Sequence, residues 1–355
     1  MLRLEPRTGQ STTRLLLTPV LAVITTILAG AVLFATLGKD PVEAIRIIFV
    51  NPFLDPFSRS EILVKGAPLV LIAIGLSLGF RAGIWNIGAE GQYIMGGIAG
   101  SAVALAFYST SGLWLLPLIM LAGVLGGLAW GAIPAILKTR FNANEILVSL
   151  MLVYVADNFL RAMVNGPLRN PSGFNFPESR LFHDSAVLPI LIENTRVHVG
   201  VLAALVAVII AWFLLERHVL GYNIKLLGAA PRAAGFSGVR QKRLTIICLC
   251  TSGALAGLAG TIEVAGPFGQ LVPTLPQGYG FTAIIVAFLG RLNPFGILIA
   301  GGVMALTYIG GETAQFMLQL PAAAISTFQG MLLFFLLGFD VLVKYSIRLG
   351  QGRPA

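Results

Sequence analysis

The chain has 355 residues, 56% of them hydrophobic and only 11% charged, with 41 glycines. Soluble domains carry about a quarter charged residues, so the composition excludes an ordinary water-soluble fold, and its apolar content excludes intrinsic disorder. The formal charge is +9, from 24 Lys and Arg against 15 Asp and Glu. The basic residues flank long apolar runs, so the partner they imply is a membrane and not nucleic acid.

A bilayer core about 30 Å thick takes roughly 20 apolar residues per helix. Ten stretches qualify, at about 15–37, 62–80, 92–108, 113–137, 146–165, 199–215, 244–265, 280–290, 297–312 and 323–343. The eighth and ninth are short and separated only by the segment 291–296. The first is too long for a cleaved signal peptide and lacks a small-residue cleavage site, so it reads as an anchor. With both termini inside, the inside segments hold 16 of the 24 Lys and Arg, as the positive-inside rule requires. The expected fold is therefore all-α and polytopic, one membrane domain over 1–355 with a short basic tail at 1–14.

In chain order, the first sizeable outside segment is 38–61, where 42–50 has the pattern of an amphipathic surface helix. Next comes Phe80-Arg-Ala-Gly-Ile-Trp-Asn-Ile-Gly-Ala-Glu-Gly-Gln-Tyr93, which interrupts two spans. Backbone that leaves the helix at membrane depth must be buried in protein or line a wet cavity, and such breaks point to transport sites. Trp85, Asn86, Glu90 and Gln92 are the pathway candidates here. Glu90 has two readings, a solute-pathway group or a cap on a half-helix or partner of Arg81. Gly123, Gly127 and Gly131 form a small-residue ridge for close helix packing. Asp157 and Arg161, four apart, are placed to pair with each other. The second outside segment, 166–198, is rich in Pro, Asn and Ser.

The one long inside loop is 216–243. It contains a short helix candidate at 231–236, with Pro231 fitting the first turn and Gly235 or Gly238 ending it. A short Ala/Gly helix in a basic loop reads as a docking element, formed by Gly228, Ala229, Ala230, Pro231, Arg232, Ala233, Ala234 and Gly235. Cys248 and Cys250 lie in an apolar run and read as buried thiols. A second interrupted region spans 263–296, with Glu263, Gln270, Gln277 and Thr282 as further cavity candidates. It echoes the first region and suggests a weak internal repeat of two five-span halves. Glu312, near the outer end of a span, reads as solvated.

No phosphate-binding Gly-x-x-x-x-Gly-Lys-[Ser/Thr] loop occurs, nor a nucleophile elbow. His183, His198 and His218 are scattered, so no metal, resident cofactor or catalytic residue is expected. The residues alone leave two transport readings open: a subunit energised by a partner, or an ion-coupled secondary transporter using Glu90, Asp157 or Glu263.

The stretch Leu76-Ser-Leu-Gly-Phe-Arg-Ala-Gly-Ile-Trp-Asn-Ile-Gly-Ala-Glu-Gly-Gln-Tyr-Ile-Met-Gly96 resembles the signature of permease subunits of bacterial ABC importers, in the branch that includes ribose and branched-chain amino acid permeases. Within that branch it is most similar to nucleoside or simple-sugar permeases. Asn142-Ala-Asn-Glu-Ile-Leu-Val-Ser-Leu-Met-Leu152, Gly166-Pro-Leu-Arg-Asn-Pro-Ser-Gly-Phe-Asn-Phe-Pro177 and Tyr279-Gly-Phe-Thr-Ala-Ile-Ile-Val-Ala-Phe-Leu-Gly290 resemble it too, and the likeness runs from about 60 to 345. The resemblance implies a multi-pass permease of the bacterial cytoplasmic (inner) membrane that imports a small neutral solute. It further implies a second permease subunit, with a heterodimer expected, an ATP-binding subunit that holds the ATP, and a soluble solute-binding protein outside. The segment 228–239 would be the coupling helix seated in the ATPase.

Overall fold

The computed structural model describes the backbone of residues 2–6 and 12–349 and the side chains of residues 17–339. Arg7 of the basic tail and Arg353 lie outside the described residues. Fourteen α-helices follow in order among the described residues: α1 Thr12–Thr36, α2 Pro41–Phe49, α3 Asn51–Leu54, α4 Pro56–Arg81, α5 Ala89–Ala106, α6 Leu115–Phe141, α7 Glu145–Asn165, α8 Gly200–Glu216, α9 Val219–Ala229, α10 Pro231–Phe236, α11 Gln241–Glu263, α12 Tyr279–Leu289, α13 Pro294–Leu318 and α14 Ala322–Lys344. Two short strands, β1 Leu2–Pro6 and β2 Tyr345–Leu349, pair antiparallel.

Among the described residues, seven helices are long and apolar enough to cross a bilayer, and eight if the α8–α9 pair, bent by 68°, is one span. The protein is therefore a polytopic membrane protein. Each of the ten expected stretches falls on a helix. Three fall short of a full span on their own: α5, which carries Glu90 and Gln92 in its first turns, α8, which qualifies only together with α9, and α12, which has 11 residues.

The chain divides into two compact units, residues 59–305 and residues 1–58 with 306–355. In the smaller unit, α2 is the amphipathic helix expected near 42–50. Asp40 caps it, its Oδ1 accepting from the Val42 N–H at 2.8 Å, and Pro41 sits in the first turn, where no N–H is missed. Its buried face, Ala44, Ile47 and Ile48, packs with Phe34, Ile325 and Phe328.

In the larger unit, α4 is apolar on every side from Gly66 to Phe80 and buried along that whole stretch, as a helix enclosed by others must be. In the same unit α5, α6 and α11 meet one another on glycines. A methyl group placed on Gly127 would fall 2.6 Å from the Gly257 Cα, and one on Gly131 would fall 2.7 Å from the Leu249 carbonyl oxygen. Apolar surface gains little by leaving lipid for protein, so close backbone approach and dispersion hold such helices together. The expected glycine ridge on α6 is the contact surface for α11. Asp157 and Arg161 form the expected ion pair at 3.1 Å on an exposed face of α7. Cys248 is buried, with its Sγ 3.7 Å from the Leu78 carbonyl oxygen, and Cys250 is half-buried; both are free thiols.

Candidate functional site

The first broken-helix region starts where α4 ends. The Ile84 N–H bonds back to the Gly79 carbonyl at 2.8 Å, and Gly83 takes the left-handed conformation, φ +73°, that glycine adopts without strain. The chain then runs without helix to Gly88 before α5 begins. Asn86 organises this stretch. Its Nδ2 donates to Gln92 Oε1 and to Ser252 Oγ, both at 2.9 Å, while its Oδ1 accepts from the Gly88 N–H at 3.0 Å. Asn86 and Gln92 are both buried, and a buried amide must find partners. Their polar atoms tie the break to α11, and Ser149 Oγ ties it to α7 by accepting from the Ile87 N–H.

Glu90 lies in the first turn of α5, buried. Its two oxygens accept from the N–H of Gly278 at 2.8 Å and of Gly280 at 2.5 Å. Those amides open α12, whose N-cap is Gly278 at φ +78°. Two helix N-termini thus converge on one carboxylate. Each contributes a partial positive charge, which offsets part of the cost of burying a carboxylate there. Arg81 bonds elsewhere, its Nε donating to the Leu292 carbonyl at 3.0 Å and its Nη1 pairing with Glu216 at 3.1 Å. Of the two readings for Glu90, the structure displays the capping contact and leaves Arg81 to Glu216.

Trp85 is 39% exposed. It stacks on Phe288 at 5.8 Å between centroids and tilts against Phe80 at 5.0 Å, with Phe80 stacked on Phe288 at 5.1 Å. This aromatic cluster joins the end of α4, the break and the end of α12. Thr282, one turn into α12, is buried.

The second broken region is built differently. After Glu263, residues 264–268 form a π-helical turn containing Pro267, and Gly269 is left-handed at φ +63°. Widened turns of this kind occur often at functional sites. Glu263 is buried, within electrostatic reach of Lys65, Arg196 and Glu61. Arg196 forks onto Glu61, one arm at 2.9 Å. The loop 166–198 is sewn to this region. Its Ser179, Phe182 and Leu188 N–H groups donate to the carbonyls of Leu271, Gly269 and Ala265 at 2.9, 2.8 and 2.7 Å, and Gln270 Nε2 donates to Glu178 at 3.2 Å. Sequence reasoning missed this suture. His198 was also missed. It is buried, its Nδ1 accepts from the Gly200 N–H at 3.1 Å, and its Nε2 has no partner among the described residues. Burial pushes its imidazole down to about 4, partly offset by the Glu61 carboxylate.

The segment 228–235, expected from the sequence to be a docking element, lies in α9, α10 and the residue between them. Ala230 ends α9, and Pro231 starts α10. The turn after α10 closes with a 3.0 Å bond from the Val239 N–H to the Ala234 carbonyl, and Gly238 is left-handed at φ +81°. Gln241 Nε2 donates to the Pro231 carbonyl at 2.6 Å. Ala234 is buried beneath the helix, while Gly228, Ala229, Pro231, Arg232, Ala233 and Gly235 are exposed. Phe236 is 95% exposed. The backbone at Gly228 packs on the Arg81 carbonyl so closely that no side chain fits. Among the described residues no group of three metal-ligating side chains occurs.

Long apolar helices, two interrupted helical regions, small-residue packing and an exposed short helix are the features of a multi-pass membrane protein. Residues 58–337 match the family described as the permease component of branched-chain amino acid transport systems, and the chain belongs to that family. It is 33% identical over 369 residues to a glucose ABC transporter permease of Haloferax volcanii, covering 100% of this chain and 97% of that one. It is 28% identical to a guanosine ABC transporter permease of Bacillus subtilis, covering 95% and 96%, and 28% identical to a nucleoside ABC transporter permease of Lactococcus lactis, covering 84% of each. Each of these organisms contributes a second, different permease to the matches. No solved structure matches the chain. The protein is thus an ABC transporter permease of the cytoplasmic membrane, a transport subunit whose family works with a separate ATP-binding subunit and a solute-binding protein.

Proposed function

We propose that the chain is one of two different membrane subunits of an ATP-driven importer for a small neutral solute, a nucleoside or a simple sugar. The glucose, guanosine and nucleoside permeases it resembles support the solute class, and the paired permeases in their organisms support a heterodimer. The ten apolar helices are read as ten crossings with both ends inside. The pairing of β1 with β2, which puts the two ends on one face, supports an even number.

The observation that carries the reading is α10, a short exposed helix bolted to its own spans. Its base continues into α9, where Gly228 rests on the Arg81 backbone. Arg81 in turn holds Glu216 of α8 and Leu292 of the α12–α13 turn. A push on α10 by an ATP-binding partner therefore reaches α4, α8 and α12 together. Trp85 presents a partly exposed ring to a flat solute, Asn86, Glu90 and Gln92 hold the broken helices that frame the path, and Thr282, Glu263 and Gln270 complete its lining. Glu90 gives both oxygens to backbone amides, which favours this role over ion coupling. The test is ATPase activity of the complex in proteoliposomes with the loaded binding protein. A nucleoside or sugar stimulates it severalfold if the reading holds; no stimulation by any of them refutes it.

A further inference from the structure

A cavity of about 380 Å3 opens between the start of α9, the turn that follows α10 and the first turns of α11. Val219, Leu220 and Ile247 line it together with His218, Arg240 and Arg243. His218 Nδ1 accepts from the Leu220 N–H at 3.1 Å, which fixes the ring. Arg240 and Arg243 are exposed and, among the described residues, pair with no carboxylate. Two uncommitted guanidinium groups beside an apolar wall call for a ligand with an anionic head and a hydrocarbon tail. Arg favours phosphate oxygens through its planar fork, and a free phosphate would leave Val219, which is exposed, and the half-buried Leu220 and Ile247 uncovered.

We propose that this cavity binds an anionic phospholipid, with its phosphate on Arg240 and Arg243 and an acyl chain along Leu220 and Ile247. The inference rests on the reading above that this basic face lies at the membrane surface. Gly238 and Val239, which close α10, also line the cavity, so the bound lipid braces the docking helix.

The test uses the whole complex, with its ATP-binding subunit, in phosphatidylcholine vesicles carrying a phosphatidylglycerol probe photoreactive at its acyl end. Illumination is expected to label the peptide 239–247, and a phosphatidylcholine probe with the same tail is expected to label it much less. Replacing both cations, Arg240→Gln with Arg243→Gln, should weaken binding about thirtyfold, from the contribution of each cation to an anionic lipid surface. Equal labelling by the two probes overturns the proposal, as does labelling indifferent to the double substitution. Absence of labelling, with 239–247 shielded by the ATP-binding subunit, also overturns it and assigns the cavity to that subunit. If the double variant fails to assemble, the two probes on the unaltered complex decide alone. The probe occupies both leaflets, so its result is independent of orientation, and loss of the ATP-binding subunit on purification would instead count against the importer reading.

Discussion

Replacing Glu90 separates a framework role from a chemical one. In Glu90→Gln one amide oxygen can still accept from Gly278 or Gly280, but the NH2 group must face the other N–H, donor against donor. A hydrogen bond to a charged group contributes about 1.5–3 kcal/mol, and an unsatisfied buried donor costs about 1–3 kcal/mol. The glutamine avoids the cost of burying a charge, which offsets part of the loss, so the net destabilisation is about 2 kcal/mol. The substitution should lower the apparent melting temperature of the purified complex by several degrees and reduce the amount assembled. Uptake per assembled complex and the solute KM should stay near the parental values. Glu90→Ala, which orphans both amides, should be worse. A Glu90→Gln complex with unchanged melting temperature but abolished uptake would refute the capping argument and place the carboxylate in the transport chemistry.

Gly127→Val puts a branched side chain into the α6–α11 contact, where even a methyl group falls 2.6 Å from the Gly257 Cα; overpacking costs about 1–3 kcal/mol or more, and folded yield measured by fluorescence-detected gel filtration should drop sharply. Phe236→Ala, at an exposed position, should leave that yield unchanged and weaken copurification of the ATP-binding subunit severalfold. His198 is held neutral, its folded pKa lying below the ordinary 6.5 at about 4. The unfolded chain therefore binds a proton that the folded one refuses, and stability is lost as pH falls from about 6.5 toward 4, by up to about 3 kcal/mol. His198→Asn should flatten that part of the melting-temperature profile, and an unchanged acid slope would contradict it.

The apolar helices were legible because a span is a local property: each of the ten stretches depends only on its own residues. The short helix α10 was legible for the same reason, since Pro231 sets its first turn and the Gly238 turn its end. The helix on the third expected stretch begins at Ala89, three residues before its expected start, because Glu90 and Gln92 find partners inside the protein and need not leave the helix. What the sequence did not disclose is long-range bonding. Glu90 meets amides 188 and 190 residues away, and Asn86 meets a serine 166 away. The suture between 166–198 and the region after Glu263 is made largely of backbone N–H and C=O groups, which every residue but proline carries alike. His198 looked scattered because its burial depends on Gly266 and Glu61, from elements far along the chain.

The most direct measurement is disulfide trapping of α10. Phe236→Cys, in a chain whose two native thiols lie within α11, should cross-link to a cysteine in the groove of the ATP-binding subunit, and the cross-link should lock uptake until it is reduced. Ready modification of that thiol by an impermeant reagent added outside intact cells, with no cross-link formed, would contradict the account.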